Sequence, residues 1–415
     1  MNWAMSKRII VIGGGAAGLM ASITAAEQGA SVTLLEPNER LGKKVNITGK
    51  GRCNVTNDSD MEELMRNIPC NARFLYSAFS DFDGRDCMAF FAGIGVELKV
   101  ERGKRVFPVT DSAFTITDAL KKRIHTLGVR WQRERAEEVL TENGAVSGVR
   151  TAQGIHPADA VILATGGVSY PGTGSTGDGY RMAAALGHTV IPPRASLVPL
   201  VSPDPACAAM QGLSLKNVAI KVKNSKGKTL HEDFGEMLFT HFGLSGPMIL
   251  SASAHIRNWE KESYTVSIDL KPALDEQKLE ARLLRDMQER SNQDFRNLLG
   301  GLVHKSMIPV LLEKTGIAGD TKVNSVTREE RRTLLHTLKD FTVPVTGTRP
   351  VEEAIITSGG VKVSEIVPAT MASKLVSGLY FAGELIDVDA YTGGFNLQIA
   401  WATGRAAGRA AAEEN

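Results

Sequence analysis

The chain has 415 residues, of which 43% are hydrophobic and 23% charged, and its formal net charge is +2. This length suggests two or three domains, and the balanced charge excludes a global electrostatic argument for nucleic acid or membrane binding. The four cysteines, Cys53, Cys70, Cys87 and Cys207, form no C-x-x-C pair. That spacing excludes the usual zinc site and the usual redox disulfide.

The N-terminal region bears on where the protein resides. Lys7 and Arg8 precede a short apolar run, as in a secretory signal, but the run ends at the glycines of residues 13–15 and no cleavage-like segment follows. No stretch has the length of a membrane span. We therefore expect a cytoplasmic protein with no membrane partner.

The first 35 residues predict a βαβ unit. Residues 8–12 and 31–35 are short apolar runs of strand length, and residues 16–28 between them have few polar interruptions, as in a buried helix. Helices are also predicted at 112–127, 179–186 and 398–411, and buried strands at 160–164 and 379–382. These elements predict a Rossmann-like parallel sheet of the two-dinucleotide-binding type.

Two segments with a different sequence pattern interrupt the predicted α/β domain. The character changes at Pro192-Pro193, and short alternating runs over residues 196–270 predict an antiparallel sheet or small barrel. Leucines at helical spacing follow in a charged segment, and Thr327 with Glu330 forms a capping-box pattern. The predicted domains are a split α/β domain (1–195 and 345–415), a β-rich insert (196–273 and 341–365, boundaries approximate) and a helical insert (274–340). The leucines are Leu279, Leu283, Leu284, Leu334, Leu335 and Leu338.

The sequence Gly13-x-Gly15-x-x-Gly18 lies between the first strand and the first helix, and Glu36 ends the second strand. Gly13 permits the tight turn, Gly15 lets the backbone approach a pyrophosphate, and Gly18 lets helix and strand pack closely. The helix N-terminus offers free N–H groups to phosphates. Glu36 can accept hydrogen bonds from ribose hydroxyls, so the unit predicts a bound dinucleotide.

Further glycine-rich segments favour FAD over NAD as that dinucleotide. Residues 164–167 and 379–384 place glycines at strand ends, where backbone would touch a long extended cofactor, and residues 392–398 open the last helix. The positive end of that helix could stabilise a reduced flavin. Gly172-x-Gly174-x-x-Gly177 repeats the dinucleotide pattern, but it lies behind Pro171 with no second βαβ unit around it, so we interpret it as a loop.

The chain resembles the BaiN-type family of NAD(P)/FAD-dependent oxidoreductases, which is distantly similar to fumarate reductase flavoproteins. The resemblance runs nearly end to end and is carried by residues 13–18, 49–57, 239–247 and 393–396. It implies FAD, a split nucleotide domain with a β-rich and a helical insert, and reduction of a conjugated C=C bond. Family activities include enone reduction in bile acid steroids and dihydrouridine formation in ribosomal RNA.

The candidate FAD contacts lie on these motifs and strand ends. Arg52 could neutralise phosphate and Asn54 could hydrogen-bond a flavin edge, whereas Cys53, without a partner cysteine nearby, is favoured as a packing residue. The full set is Gly13, Gly15, Ala16, Ala17, Gly18, Glu36, Lys44, Gly51, Arg52, Cys53, Asn54, Ala164, Thr165, Gly166, Gly383, Glu384, Asp387, Gly394, Phe395, Asn396 and Leu397. We expect no metal.

His241 is the first candidate for the proton donor. It lies in a glycine-rich motif of the β-rich insert, which could cover the flavin, and histidine donates protons near neutral pH. Tyr391, beside the turn at Gly393-Gly394, is the alternative, and Tyr170 is a third.

The leading functional prediction is reduction of an enone-like small molecule by NAD(P)H, which would bind transiently over the flavin. A dihydrouridine synthase acting on ribosomal RNA is the alternative, and the basic segment 99–135 is the candidate RNA path. An RNA-binding protein with a structural or sensory flavin is a hypothesis of another class, and an oxidase is a further one.

Overall fold

The structure is a computed structural model that describes residues 6–256 and 259–413. These residues form two compact units: residues 6–196 with 350–413 make up the first, and Leu197–Arg349 make up the second. The segments predicted as β-rich and helical inserts both contribute to the second unit, and their division into separate domains stays a prediction. In the part of the chain that is described, no helix combines the length and apolarity needed to cross a membrane.

The elements are numbered in chain order. The strands are β1 (Arg8–Ile12), β2 (Ser31–Leu35), β3 (Thr56–Asn57), β4 (Leu98–Glu101), β5 (Arg105–Pro108), β6 (Arg130–Gln132), β7 (Ala136–Glu142), β8 (Ala145–Thr151), β9 (Gly154–Pro157), β10 (Ala160–Leu163), β11 (Val190–Ser196), β12 (Leu200–Val201), β13 (Ser214–Asn224), β14 (Thr229–Thr240), β15 (Gly243–Ser245), β16 (Tyr264–Asp269), β17 (Phe341–Val345), β18 (Gly347–Thr348), β19 (Ile356–Val361) and β20 (Leu379–Phe381). The helices are α1 (Ala16–Glu27), α2 (Met61–Arg66), α3 (Tyr76–Asp81), α4 (Gly84–Gly93), α5 (Ala113–Thr126), α6 (Asp178–Ala185), α7 (Pro205–Ala209), α8 (Pro247–Ser253), α9 (Glu276–Glu289), α10 (Phe295–Leu299), α11 (Ile308–Thr315), α12 (Arg328–Lys339) and α13 (Phe395–Ala412).

A parallel sheet forms the centre of the first unit. Its described strands are five, in the order β20-β10-β1-β2-β6, and every neighbouring pair is parallel. Strands β1, β2 and β10 are almost wholly buried, as in a parallel sheet that is covered on both faces. The chain leaves β1 toward β2 on one side and later returns to β10 on the other. The carboxyl ends of β1 and β10 therefore form the switch point at which such sheets bind ligands.

Helices from the two ends of the chain pack closely against each other in this unit. A Cβ atom added to Gly404 of α13 would lie 2.4 Å from the carbonyl oxygen of Ala17, and one added to Gly408 would lie 2.4 Å from that of Ala21. Only glycine permits this approach of α13 to α1. The C-terminal helix thus completes the layer that covers the N-terminal βαβ unit, and the Rossmann-like class is confirmed.

Pro192 and Pro193, where the sequence pattern changes, lie inside β11. This strand pairs with β19 in antiparallel orientation. The pairing register shifts between Ile191 and Arg194, because proline has no N–H to donate to a regular ladder. The second unit begins shortly after this bulged strand, at Leu197.

The second unit is built on an antiparallel sheet. Its described strands are seven, in the order β17-β16-β13-β14-β15-β12-β18, so the antiparallel prediction for residues 196–270 is confirmed. The capping box of α12 is also confirmed, since the N–H of Glu330 donates to Oγ1 of Thr327 at 3.2 Å. Leu279 and Leu283 of α9 are buried as a helical core stripe requires. Leu284 is 39% exposed and therefore does not belong to this buried stripe.

Candidate cofactor cleft and active site

A cleft of about 1030 Å³ opens at the carboxyl ends of β1 and β10 in the first unit. The glycine-rich turn, the ends of β2 and β20, and the start of α13 contribute its walls. Among the predicted FAD contacts, those that line it are Gly13, Gly15, Ala16, Ala17, Glu36, Lys44, Ala164, Thr165, Gly166, Gly383, Glu384, Asn396 and Leu397. The fold brings these residues together from four distant parts of the chain.

The three glycines of the turn differ in what requires them. A Cβ on Gly13 would lie 2.5 Å from the carbonyl oxygen of Ala164, and one on Gly18 would lie 1.8 Å from that of Gly13. Packing within the protein therefore excludes a side chain at both positions. Gly15 has no protein atom within 4 Å of such a Cβ, and it lines the cleft. The space in front of Gly15 is the space that a pyrophosphate would occupy.

Two helices begin at the wall of this cleft without a capping side chain. Neither Gly15, before α1, nor Gly394, before α13, caps its helix through a side chain. Their first N–H groups could therefore donate to an anion or to a polar ring edge. Oγ1 of Thr165, also on the wall, is buried and makes no hydrogen bond to the described residues. The N–H groups at the two helix starts and the hydroxyl of Thr165 are hydrogen-bonding groups that would fit a bound dinucleotide.

Glu36 lies at the end of β2, and both of its carboxylate oxygens are engaged. Oε2 accepts a hydrogen bond from the backbone N–H of Gly14 at 2.8 Å, and Oε1 accepts from the backbone and side-chain nitrogens of Asn38 at 2.9 and 2.8 Å. These contacts hold the carboxylate beside the glycine-rich turn. In that position a carboxylate would accept hydrogen bonds from ribose hydroxyls.

Lys44 and Glu384 form a part-buried ion pair on the cleft wall. Nζ of Lys44 lies 2.6 Å from Oε2 of Glu384 and 2.7 Å from Oγ of Ser169. Oε1 of Glu384 accepts from Oγ of Ser169 at 3.0 Å and from the backbone N–H of Thr357 at 2.8 Å. The pair therefore ties the loops after β2, β10 and β20 to β19.

The polar loop of residues 49–54 does not line the cleft. Arg52 pairs with Glu101 and Asp111, and its guanidinium carbon lies 4.1 Å from the centre of the Phe107 ring. Oδ1 of Asn54 accepts from the backbone N–H of Val106, and Gly51 is absent from the lining. The sequence predicts phosphate and flavin contacts for Arg52 and Asn54, and here their polar groups bond to the β4–β5 hairpin and to Asp111 beyond it.

Cys53 belongs to the core of the first unit. It has no exposed surface, and burial raises the pKa of its thiol to about 12. The four cysteines contain no disulfide. A buried thiol with a raised pKa is a poor nucleophile, and the packing interpretation agrees with this environment.

The remaining predicted contacts shape the loop before α13. Nδ2 of Asn396 donates to the carbonyl oxygen of Ala390 at 2.7 Å, and its Oδ1 accepts from the Ala390 N–H at 2.9 Å. Asn71 donates to the backbone and side-chain oxygens of Asp387. Gly394 has a φ of +100°, and a Cβ there would lie 2.3 Å from the carbonyl oxygen of Thr56. Phe395 is buried, and Asp387, Gly394 and Phe395 do not line the cleft, whereas Asn396 lines it and also fixes the backbone of this loop.

The two candidate acids lie in different units. His241 is exposed and occupies, with Phe242, the turn between β14 and β15. The two rings meet edge to face with their centres 5.0 Å apart. Tyr391 is half-buried in the first unit, and its backbone N–H donates to the carbonyl oxygen of Asn67 at 3.0 Å. Neither side chain lines the cleft, and their roles stay predictions.

Several residues that line the cleft were not predicted from the sequence. Residues 173–175 line the cleft, although we had set their glycine pattern aside as a loop. That loop interpretation holds, because Gly174 and Gly177 have positive φ and α6 begins only after them. Asn38 could have been predicted to line the cleft from its position two residues after Glu36. No sequence pattern indicated that β19 lines it. The other lining residues outside the predicted set are Gly14, Arg40, Lys43, Val45, Thr48, Ile355, Ile356, Ala382, Val388, Ile399 and Ala400.

The profile of the HI0933-like protein Rossmann domain matches residues 7–410. The chain belongs to this family. It is 33% identical over 412 residues to the 3-dehydro-bile acid delta(4,6)-reductase of Clostridium scindens, covering 98% of this chain and 99% of that one. It is 32% identical over 395 residues to the ribosomal RNA dihydrouridine synthase of Escherichia coli, covering 95% of each. The predicted resemblance to the BaiN-type family is confirmed.

A solved structure extends the likeness at the level of the fold. The 3-ketosteroid-delta4-(5alpha)-dehydrogenase of Rhodococcus jostii aligns with a TM-score of 0.54 and 16% identity, covering 100% of this chain and 98% of that chain. As an HI0933-like protein with this dinucleotide cleft, the chain is an FAD-binding oxidoreductase. Glu36, the glycine-rich turn and the two helix N-termini are the groups that would hold FAD.

Proposed function

We propose that the protein reduces a conjugated C=C bond of an enone-like small molecule, such as a steroid or bile acid intermediate, with electrons from NAD(P)H. The observation that carries the proposal is the match over 98% of the chain to a relative named as a bile acid reductase. The cleft adds support, because beyond the glycine-rich turn its wall is largely apolar, as a flavin ring and an apolar ligand require. The apolar lining includes Val45, Ile355, Ile356, Val388, Leu397 and Ile399.

FAD, when bound, supplies a ring that takes up a hydride equivalent and passes it on. Addition of hydride to the β-carbon of an enone leaves negative charge on the carbonyl side, and a proton must then reach the α-carbon. We assign this proton to His241, and to Tyr391 as the alternative. The pairing of Asn396 with Ala390 holds the backbone that carries Tyr391.

The basic segment 99–135 bears on the choice between a small molecule and RNA. Five of its ten Lys and Arg side chains pair with acids: Lys99 with Asp111, Lys104 with Glu63, Arg123 with Glu27, Arg133 with Glu39 and Arg135 with Asp178. A cation with an acidic partner gains less from a phosphate, because the partner must be displaced or left unpaired. This pairing weakens the segment as an RNA path and supports a small-molecule substrate.

Dihydrouridine synthesis on ribosomal RNA is the second candidate, because a relative with that name is nearly as similar, at 32% identity. Both candidates involve a C=C bond conjugated with a carbonyl group, so one chemistry serves either. An RNA-binding protein with a structural or sensory flavin would bind RNA in a salt-sensitive manner without turnover.

The experiment is anaerobic reduction of the purified protein by NADH or NADPH, followed by addition of one compound at a time. We expect a 3-keto steroid with a conjugated double bond to restore the oxidised flavin spectrum within the turnover time. Unmodified ribosomal RNA is the parallel sample. Restoration by RNA alone would replace the leading proposal with the second, and restoration by oxygen alone would indicate an oxidase.

A further inference from the structure

A second pocket lies wholly within the second unit. It is formed where the start of β13 and the residues after β16 face the segment between α10 and α11, and its space, counted with the open mouth, is about 590 Å³. Its walls are more polar than those of the cofactor cleft. The lining residues are Leu215, Lys216, Val218, Leu270, Lys271, Gly300, Gly301, Leu302, Val303, His304 and Met307.

The polar side chains on this lining are cationic or neutral. Lys216 and Lys271 line the pocket, and neither has a carboxylate within ion-pair distance among residues 6–256 and 259–413. His304 completes the set, and its Nδ1 lies 2.8 Å from Oγ of Ser306. That contact leaves Nε2 as the ring nitrogen that a ligand could meet.

Two arginines stand directly behind this lining. Nη2 of Arg282 lies 3.3 Å from the carbonyl oxygen of Gly301, and a Cβ added to Gly301 would lie 3.1 Å from Nη1 of Arg290. Burial, and then the charge of Arg282, lower the pKa of the Lys271 ammonium. Cations held this close together are stabilised by an anion between them.

The acidic residues near this pocket are already engaged elsewhere. Asp269 pairs with Lys339 at 2.5 Å and accepts the backbone N–H of Lys271 at 2.8 Å. Asp286 pairs with Arg282 at 3.4 Å. Neither carboxylate lines the pocket. The protein therefore supplies positive charge to this cavity without supplying the matching negative charge.

We propose that this pocket binds the phosphate monoester of a small ligand of nucleotide size, through Lys216, Lys271 and His304. Lysine serves phosphate as a compact, strongly charged donor. Counted with its open mouth, the pocket is larger than a phosphate ion alone requires. It is concave and lies on one unit, which suits one phosphate group better than an extended polyanion.

The test uses the full-length, FAD-loaded protein, so that FAD fills the cofactor cleft. Binding of 2′,5′-ADP, 5′-AMP, inorganic phosphate and a short oligouridylate is measured by isothermal titration calorimetry. The variants are Lys216→Gln, Lys271→Gln and Lys271→Arg, which keeps the charge. The matched control is Lys221→Gln, because Lys221 lies on the same strand and is exposed but pairs with Glu232 at 3.2 Å.

We expect at least one phosphate monoester to bind, and Lys271→Gln and Lys216→Gln each to weaken it roughly tenfold, the effect of one lost charge-assisted hydrogen bond. Lys221→Gln should leave the affinity within about twofold, and Lys271→Arg should retain most of it. Comparing the affinity for inorganic phosphate with that for the two nucleotides distinguishes a site for a phosphate ion from a site for a nucleotide.

Equal weakening by Lys221→Gln would overturn the proposal, since it would indicate a diffuse charge effect. Binding that persists in Lys271→Gln would place the ligand elsewhere. Binding of oligouridylate without any monoester would make the surface an RNA contact instead, and no binding by any probe would also refute the site. Because Lys271→Arg and Lys216→Gln are tested alongside, a folding defect in one variant does not obscure the answer.

Discussion

Nζ of Lys44 lies 2.6 Å from Oε2 of Glu384, although the two residues are 340 positions apart in the chain. The side chains are 22% and 12% exposed, so water screens this pair less than a surface pair. The contact joins the loop after β2 to the end of β20 at the cofactor cleft. The wall of the cleft thus depends on a bond between the two ends of the first unit.

Glu384→Gln should destabilise the apoprotein, because it leaves the ammonium of Lys44 part-buried without a carboxylate. We expect a loss of about 1–2 kcal/mol, less than for a fully buried pair, seen as a decrease of about 2–6 °C in apparent Tm. Glu138→Gln is the control, because its pair with Arg150 is exposed at 50% and 56%. A larger decrease in the control than in Glu384→Gln would contradict the assignment.

Gly15→Val and Gly18→Ala should separate ligand binding from folding. Gly15→Val is expected to abolish FAD binding while leaving the apparent Tm of the apoprotein unchanged, because no protein atom lies within 4 Å of its Cβ. Gly18→Ala should lower the Tm of the apoprotein, because its Cβ would lie 1.8 Å from a carbonyl oxygen. The measurements are FAD content and thermal unfolding. Normal FAD affinity in Gly15→Val would show that the pyrophosphate lies elsewhere.

The buried thiols should make the protein less stable at alkaline pH. Burial raises the pKa of Cys53 to about 12 and also raises that of Cys87, above the unfolded value of about 8.5. The stabilisation from the protonated Cys53 thiol is complete below about pH 8.5 and is lost as the pH rises toward 12, with roughly 2 kcal/mol lost by pH 10. Cys87 adds to this loss in the same direction.

Thermal unfolding between pH 8 and 10.5 checks this expectation. Cys53→Ala should flatten the decline and still retain FAD, whereas Cys70→Ala, at a half-buried position, should leave the decline unchanged. An identical pH dependence in all three proteins would show that these thiols do not titrate as described. A specific loss of flavin reduction in Cys53→Ala, with FAD still bound, would overturn the packing role.

His241→Ala should affect one half of the catalytic cycle. If His241 protonates the substrate, the variant keeps FAD and keeps the rate at which NAD(P)H bleaches the flavin spectrum. The rate at which substrate restores that spectrum should decrease by roughly two to four orders of magnitude. Stopped-flow absorbance measures both rates, with His125→Ala, an exposed histidine of α5, as the control. Equal slowing of both rates would indicate a structural role, and no slowing would move the role to Tyr391 or water.

The nucleotide-binding fold could be predicted well from local sequence patterns. A short apolar run is typical of a strand in a parallel sheet, because such a sheet buries its strands on both faces. The bounds of β1 and β2 agree with the sequence prediction. Long-range polar partners could not be predicted. The sequence around Arg52 suggests a phosphate ligand, yet Glu101 and Asp111 meet it through the β4–β5 hairpin and the residues after it. Whether a polar side chain faces a ligand or its own protein depends on such tertiary contacts.

The same limit explains Asn396. Its position in a glycine-rich motif predicts a cofactor contact, and Asn396 lines the cleft, but the bonds from both ends of its amide to Ala390 could not be predicted. The pairing needs the backbone of a loop whose course no local pattern encodes.

Product analysis tests the central claim most directly. The protein is incubated anaerobically with excess NADPH and a 3-keto steroid that carries a conjugated double bond, and the product is examined by mass spectrometry and proton NMR. We predict a product heavier by two hydrogen atoms that has lost its vinyl proton signal and kept its carbonyl group. A product in which the carbonyl has become an alcohol, or oxidation of NADPH only when oxygen is admitted and without any steroid product, would contradict the assignment of C=C reduction.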